Sequence, residues 1–257
     1  TNPESPYGQS KLVCEWVIKN PDLCADLEEL LNDDFFANLS PGEQNDVMEN
    51  WMATNKSRVE QGEKGSLKFA CLRYFNVAGS AFKHIYDKST FNLFPIVFNK
   101  LLGKEPPIIF GNDYQTTHED NSCVRDYIHV GDLAEAHVAA VLRLAQELPV
   151  EPIYNLGCGT GYSVIEVMEK IRQVTNINFT AIVDAPRDGD PAEYVADSTL
   201  ATRDLCWVIE KLKSVEAMVE SGWRSRLVYE KLANPEFDED AFMKYCEAQF
   251  SVEAPLY

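Results

Sequence analysis

Short apolar runs that stop at glycine or asparagine, each followed by an amphipathic segment, recur through most of the chain. No other feature constrains the fold as strongly. Leu67–Val77 is rich in aromatic and apolar residues, with Gly79 just beyond it. Pro107–Phe110 ends at Gly111-Asn112-Asp113, Arg125–Val130 leads straight into a helical pattern, and Ile153–Leu156 ends in Gly157-Cys-Gly-Thr-Gly161. These runs read as strands closed by turns, with a further strand at Asn178–Val183. Helical spacing fills the intervals, over Phe91–Leu102, Asp132–Glu147, Ser163–Val174, Thr199–Leu205 and Val215–Trp223. Ser163 stands as a cap with Glu166 at the capping-box position, Gly103 ends one helix, and another stops ahead of Pro149. Strands alternating with helices predict an α/β fold with a largely parallel sheet. In such sheets ligands sit beyond the carboxyl ends of the strands, which makes Phe75 and Asn76 candidate contacts. No internal repeat is visible.

Charge and cysteine usage bound the function. The chain has 257 residues, 41 acidic against 23 basic, for a formal charge of −18. A field of that sign repels nucleic acid and anionic membranes, so neither is expected as a partner, and an anionic ligand must be met by locally placed arginine. Acidic clusters such as Glu28-Glu29 and Glu236–Asp240 read as solvated surface. Seven scattered cysteines, without a Cys-x-x-Cys, fit reduced thiols in a cytosol-like, cytoplasmic compartment. The four histidines show no metal-ligand spacing, and no metal is expected. No apolar run is long enough to span a membrane, and no signal peptide is visible.

Near the start, Thr1–Lys11 reads Thr-Asn-Pro-Glu-Ser-Pro-Tyr-Gly-Gln-Ser-Lys and leads into an apolar run with helical spacing. A helix opening near Pro6 places Tyr7 and Lys11 on one face, one turn apart. A phenol with a pKa near 10 is a poor base at neutral pH, but an ammonium held close favours the phenolate. The pair then suits a general acid/base acting on a sugar or alcohol hydroxyl. An exposed Tyr–Lys pair without chemistry is the alternative, since Tyr-x-x-x-Lys is common. Residues 21–66 are polar, acidic and helix-prone, with helices expected at Asp22–Asn32 and Pro41–Val59. No catalytic constellation appears there, and a surface or partner-binding insertion is the simplest reading.

The glycine run at 157–161 looks like the first motif of class I methyltransferases, in which a strand, glycine loop and helix let a cofactor approach the backbone. That motif normally opens its domain, whereas here it comes late and lacks a convincing partner strand with a ribose-binding acid. A tight strand-to-helix turn is the favoured reading.

Six motifs in a fixed order carry a different resemblance. Ser5-Pro-Tyr-Gly-x-Ser-Lys11 is similar to the active-site helix of the extended short-chain dehydrogenase/reductases. Arg73-Tyr-Phe-Asn-Val-Ala-Gly79, Asn92-Leu93, Phe110-Gly-Asn-Asp-Tyr-Gln-Thr116, Val124-Arg-Asp-Tyr-Ile-His-Val130 and Tyr154-Asn-Leu-Gly-x-Gly-x-Gly-Tyr-Ser163 resemble the UDP-glucose (UDP-galactose) 4-epimerase family of that group. Pro186-Arg-x-Gly-Asp190, Ala196-Asp197 and Trp207 extend the series. The resemblance covers roughly residues 1–20 and 67–225.

The resemblance implies an incomplete Rossmann-type parallel sheet, the second half of the fold, with a smaller mixed α/β substrate-binding domain. Residues 1–20, 67–80 and 126–158 would be the partial NAD-binding part, 81–125 and 159–235 the nucleotide-sugar-binding part, 21–66 a helical acidic insertion and 236–257 a tail. In the family, NAD takes hydride from C4 of the sugar, the keto sugar turns over, and hydride returns to the other face. Tyr7 would be the base and Lys11 would hold the cofactor ribose, with Tyr74 and Phe75 near nicotinamide and sugar. Asn76, Asn92 and Leu93 would contact the UDP-sugar, Phe110 would flank the uracil, Arg125 and Arg187 would bind the diphosphate, and Asp190 a ribose hydroxyl. Tyr194 falls where the family sets the width of the sugar pocket, so a bulky side chain there would exclude N-acetylated sugars. The alternatives for two residues are an Arg125–Asp126 pair and a Phe110 that is plain core.

Three departures qualify the resemblance. The family's Gly-rich NAD fingerprint and catalytic Ser/Thr are expected upstream of Thr1, on the same polypeptide or a second chain. The 21–66 insertion exceeds the family's short connection. The stretch between Gly79 and Asn92 lacks the usual acidic substrate loop. A sister dehydratase or decarboxylase, or a non-catalytic epimerase-like subunit of a larger assembly, are the other functions considered, and the family often forms dimers.

Overall fold

The computed structural model describes residues 6–19, 27, 29–31, 38–61, 68–187, 189–209 and 213–249. The chain divides into two compact units, residues 1–71 and 72–257.

The first unit contains α1 (Pro6–Lys19) and α2 (Pro41–Gln61), which contact each other. α1 opens at Pro6, where the fixed φ of proline suits a first turn and its missing N–H is no loss. It carries Tyr7 and Lys11 one turn apart, as their spacing predicts. Val13 and Glu15 of α1 and Asn55 of α2 are buried. α2 begins behind a reciprocal cap: Ser40 donates its N–H (2.9 Å) and hydroxyl (2.6 Å) to the Glu43 carboxylate. In return, the Glu43 N–H reaches the Ser40 hydroxyl at 3.4 Å. The helix expected at Asp22–Asn32 lies largely outside the described residues.

The second unit is built around one strand. β4 (Val124–His129) is buried at every position except Arg125, which is partly exposed. That pattern marks a strand covered on both faces. β2 (Asn76–Ala78) and β8 (Glu193–Tyr194) pair with it in parallel, and β6 (Gly161–Ser163) pairs antiparallel. β1 (Cys71–Tyr74) pairs with β5 (Ile153–Leu156), and β3 (Ile108–Phe110) runs parallel to β7 (Ile182–Asp184). The helices are α3 (Leu93–Leu102), α4 (Val130–Ala145), α5 (Val164–Thr175), α6 (Thr199–Leu205), α7 (Val215–Ala233) and α8 (Glu239–Gln249). Phe94, Val97, Phe98 and Leu101 of α3 meet Val167, Met168 and Ile171 of α5 and Met218, Val219 and Trp223 of α7 in one apolar core. The expected mixed α/β fold with parallel strand pairs is the fold observed. Among the described residues no helix is long and apolar enough to cross a membrane.

Several boundaries differ from those read in the sequence, each for a packing reason. The single strand expected over Leu67–Val77 is split at Phe75, because β1 and β2 pair with different neighbours. α7 runs past Trp223 to Ala233, supported by Arg226, which donates to Asn99 Oδ1 (3.0 Å) and Glu230 (2.7 Å). The strand expected at Asn178–Val183 shortens to β7, since Ile177 and Phe179 turn into the core instead. Part of the segment read as a C-terminal tail is α8, whose Phe242 and Cys246, four residues apart, are buried in the same core. The capping box at α5 is present as expected: Ser163 accepts from the Glu166 N–H at 3.0 Å and Glu166 accepts from the Ser163 N–H at 2.9 Å.

His129, at the end of β4, is buried and neutral by arrangement. Its Nδ1 accepts from the Gly131 N–H at 3.0 Å and caps α4, which leaves Nε2 to donate to Ser221 Oγ of α7 at 3.2 Å. Burial lowers its pKa below the usual histidine value. A depressed histidine pKa means the unfolded chain binds the proton more readily than the folded one. This contribution to stability is therefore complete above the unfolded value near 6.5 and is lost as pH falls through the folded pKa. A melting temperature that drops between pH 7.5 and pH 5.5 is expected, with a smaller drop in His129→Asn, which keeps a capping oxygen for Gly131. Equal pH dependence of the two proteins, measured by thermal unfolding in matched salt, would contradict this assignment.

Candidate functional site

Three strand pairings in the second unit bring separated motifs to one place. The β3–β7 register sets Phe110 opposite Asp184, three residues before Arg187. Gly111 then turns the chain at φ +77°; a Cβ there would stand 2.6 Å from the Tyr114 ring and 3.0 Å from Pro186, so only glycine fits. As a result the Arg187 guanidinium lies 4.7 Å over the half-buried Phe110 ring. The β4–β8 register sets Arg125 opposite Tyr194. Asp190, four residues ahead of Tyr194, sits between the two arginines, 3.8 Å from Arg125 Nη2 and 3.1 Å from Arg187 Nε. Arg125 is held further by donating to the Val124 carbonyl at 2.9 Å.

The sugar-side candidates lie in the same unit. Phe75, at the split between β1 and β2, donates its N–H to the Leu156 carbonyl at 3.2 Å. Its ring stacks on Tyr194 with centroids 4.6 Å apart and planes 21° from parallel. Asn76 is the register partner of Tyr127, whose side chain shares a hydrogen bond with it. Burial raises the pKa of that phenol, so it stays protonated. The Tyr127 ring stacks on Phe94 of α3 at 5.5 Å, which packs the first turn of α3 against β4. Leu93 is half-buried against the core, while Asn92 is exposed. Phe75, Asn76, Asn92, Leu93, Phe110, Arg125, Arg187, Asp190 and Tyr194 therefore belong to one unit. Tyr74, also in this unit, is half-exposed, with its ring centroid 6.0 Å from that of His137. Tyr7 and Lys11 are on α1 of the first unit, where Lys11 is exposed.

Arg125 and Asp126 do not pair with each other; consecutive strand residues face opposite ways. Asp126 is fully buried and accepts three backbone N–H bonds, from Cys158 (2.8 Å), Gly159 (2.9 Å) and Ala196 (3.1 Å). Burial raises its pKa, and these three donors oppose the rise. The carboxylate thus ties the glycine loop and the 196 segment to β4. A Cβ on Gly157 would lie 2.5 Å from the Ala196 side chain and 2.6 Å from Asp126, and one on Gly161 2.6 Å from Val124. Protein atoms, not open space, demand these glycines. The methyltransferase-like run is a packing loop, in keeping with the turn reading. Reading residue types alone missed Asp126, although a carboxylate inside an apolar strand signals a buried group with several donors. Tyr114, also missed, has a buried hydroxyl, and burial, assisted by Cys123 and Asp190, pushes its pKa up to about 12.

The arrangement is an α/β unit that gathers two guanidinium groups and an aromatic ring around the Asp190 carboxylate. Residues 51–157 match the NAD dependent epimerase/dehydratase family. In sequence the chain is similar to UDP-glucose 4-epimerases. It is 44% identical over 168 residues to the enzyme of Halalkalibacterium halodurans, covering 63% of this chain and 48% of that one. In structure it resembles the UDP-glucose 4-epimerase of Stenotrophomonas maltophila with bound NAD and formylated UDP-arabinopyranose, with a TM-score of 0.59 and 29% identity over 76% of this chain and 56% of that chain. The Bifidobacterium longum UDP-glucose 4-epimerase in complex with NAD+ and UDP gives a TM-score of 0.57 and 29% identity over 76% and 55% of the two chains. The chain spans about half the length of the curated relatives it matches.

Proposed function

We propose that this chain is the nucleotide-sugar-recognising part of an NAD-dependent UDP-glucose 4-epimerase. The observation that carries the reading is the joint placement of Arg125, Arg187 and the Phe110 ring. Planar guanidinium groups pair bidentately with phosphate oxygens, and an aromatic face accepts a base. A diphosphate would take over from Asp190 as the counter-ion of the two arginines, freeing that carboxylate for a ribose hydroxyl. Asn76 and Asn92 would hold sugar hydroxyls. The Phe75–Tyr194 stack would wall the sugar, leaving room for a hydroxyl at C2 and none for an N-acetyl group.

By the family resemblance Tyr74 would lie near the nicotinamide and Lys11 would hold the cofactor ribose; each is exposed within its own unit. When bound, NAD supplies the hydride acceptor that lets C4 of the sugar be oxidised and reduced again. Tyr7 would take the proton of the C4 hydroxyl and return it, with Lys11 favouring the phenolate.

Titration of the 257-residue chain with UDP is expected to show binding that weakens as salt rises. UDP-galactose is expected to bind and UDP-N-acetylgalactosamine to bind at least about tenfold more weakly. Tyr194→Gly should close that gap. The chain alone is expected neither to hold NAD nor to turn over UDP-galactose, because it corresponds to about half of each relative. Absence of UDP binding would overturn the reading, and equal binding of the two sugars by the wild type would overturn the role of Tyr194.

A further inference from the structure

The segment between Gly79 and Asn92 departs from the family pattern, yet it holds one carboxylate aimed at a candidate ligand contact. Asp87 Oδ2 accepts from Asn92 Nδ2 at 2.7 Å, and Asp87 Oδ1 accepts from the Ser89 N–H at 2.8 Å. Ser89 Oγ in turn accepts from the N–H groups of Phe91 (3.1 Å) and Asn92 (3.2 Å). A second observation is that Asn92 occupies the N-cap of α3 and makes no side-chain capping bond, although asparagine is among the residues preferred for that role. Its amide is turned away from the helix it would ordinarily cap. An ionised carboxylate can only accept, so the amide nitrogen must face Asp87 and the amide oxygen must face the other way. The flip of Asn92 is therefore set by chemistry. One N–H and the carbonyl oxygen remain available on an exposed side chain.

We propose that Asp87 is a positioning residue for nucleotide-sugar binding, fixing the Asn92 amide so that its carbonyl oxygen faces the ligand as an acceptor. This rests on the proposed nucleotide-sugar site. The ligand group it suits is a hydroxyl donor, of the kind a hexose carries and a phosphate lacks.

The test is a double-mutant cycle on the full chain, read by calorimetric titration with UDP-galactose. Asp87→Ala is expected to weaken binding about tenfold, the loss of one oriented hydrogen bond. Asp87→Asn, which keeps an acceptor oxygen for the Asn92 amide, should recover most of the affinity. In an Asn92→Ala background, Asp87→Ala should have no further effect. An undiminished effect in that background would overturn the proposal, because Asp87 would then act only by shaping the Ser89 turn. Unchanged binding by Asp87→Ala alone would overturn it too. If the wild-type chain binds neither UDP nor UDP-galactose, the nucleotide-sugar site itself fails. That result is distinct from a wild type that binds and an Asp87 that does not matter.

Discussion

Asp126→Ala is expected to cost the second unit about 3–5 kcal/mol of stability. The carboxylate satisfies three backbone N–H groups inside β4's buried surroundings. Leaving a buried donor unpaired costs about 1–3 kcal/mol, and water admitted to the void recovers part of the total. The loss falls on three segments at once, since Asp126 ties the strand, the glycine loop and the stretch leading from Tyr194 to Ala196. Asp126→Asn should lie between, because its amide offers one acceptor oxygen and turns an NH2 toward a donor. Chemical denaturation of the chain reads both variants. A loss below about 1 kcal/mol for the alanine variant would mean the loop finds other acceptors. Gly157→Ala should be damaging for the complementary reason, since its Cβ would meet the same carboxylate and Ala196.

Replacing Arg125 and Arg187 together by methionine should weaken UDP binding about a hundredfold or more. Hydrogen bonds to charged groups contribute about 1.5–3 kcal/mol each, and each 1.4 kcal/mol is tenfold in affinity. The two arginines are not equivalent. The Arg125 side chain is 13% exposed and anchored to the Val124 carbonyl, whereas that of Arg187 is 59% exposed and rests on Phe110. The better-buried charge acts with less solvent screening, so Arg125→Met should be the more damaging single change. The salt dependence of the remaining binding should fall in the double variant. A double variant that keeps UDP affinity within about threefold of wild type would place the diphosphate elsewhere.

Much of this architecture is legible in residue order. The split between short apolar runs and helical periodicity marks β3, β4, β5 and helices α3 to α6 within a few residues. Local chemistry is the reason: Ser163 and Glu166 cap α5 through bonds three residues apart, and Pro6 and Pro41 open helices through their own fixed φ. Features set by distant neighbours are not legible in this way. Nothing in Leu67–Val77 says that the chain breaks at Phe75, because the break reflects two different partners, β5 and β4. Within the expected tail at 236–257, α8 is set by distant contacts: Phe242 and Cys246 are buried only against the core that receives them. For the candidate site, residue types and ordered motifs name the arginines, the aromatic rings and the asparagines. They do not show the role of Asp126, which lies in the three backbone N–H groups it accepts from.

Covalent sequence therefore determined the elements that depend on near neighbours: helix starts, turns at glycine, and the alternation that defines an α/β chain. Only the tertiary structure decided that Phe110 lies under Arg187, that Asp190 stands between two arginines, and that the glycine loop is filled by Asp126 and Ala196. Those pairings arise from strand register between residues far apart in the chain. Register is a property of which backbone N–H and C=O groups find each other, and no single segment carries that information.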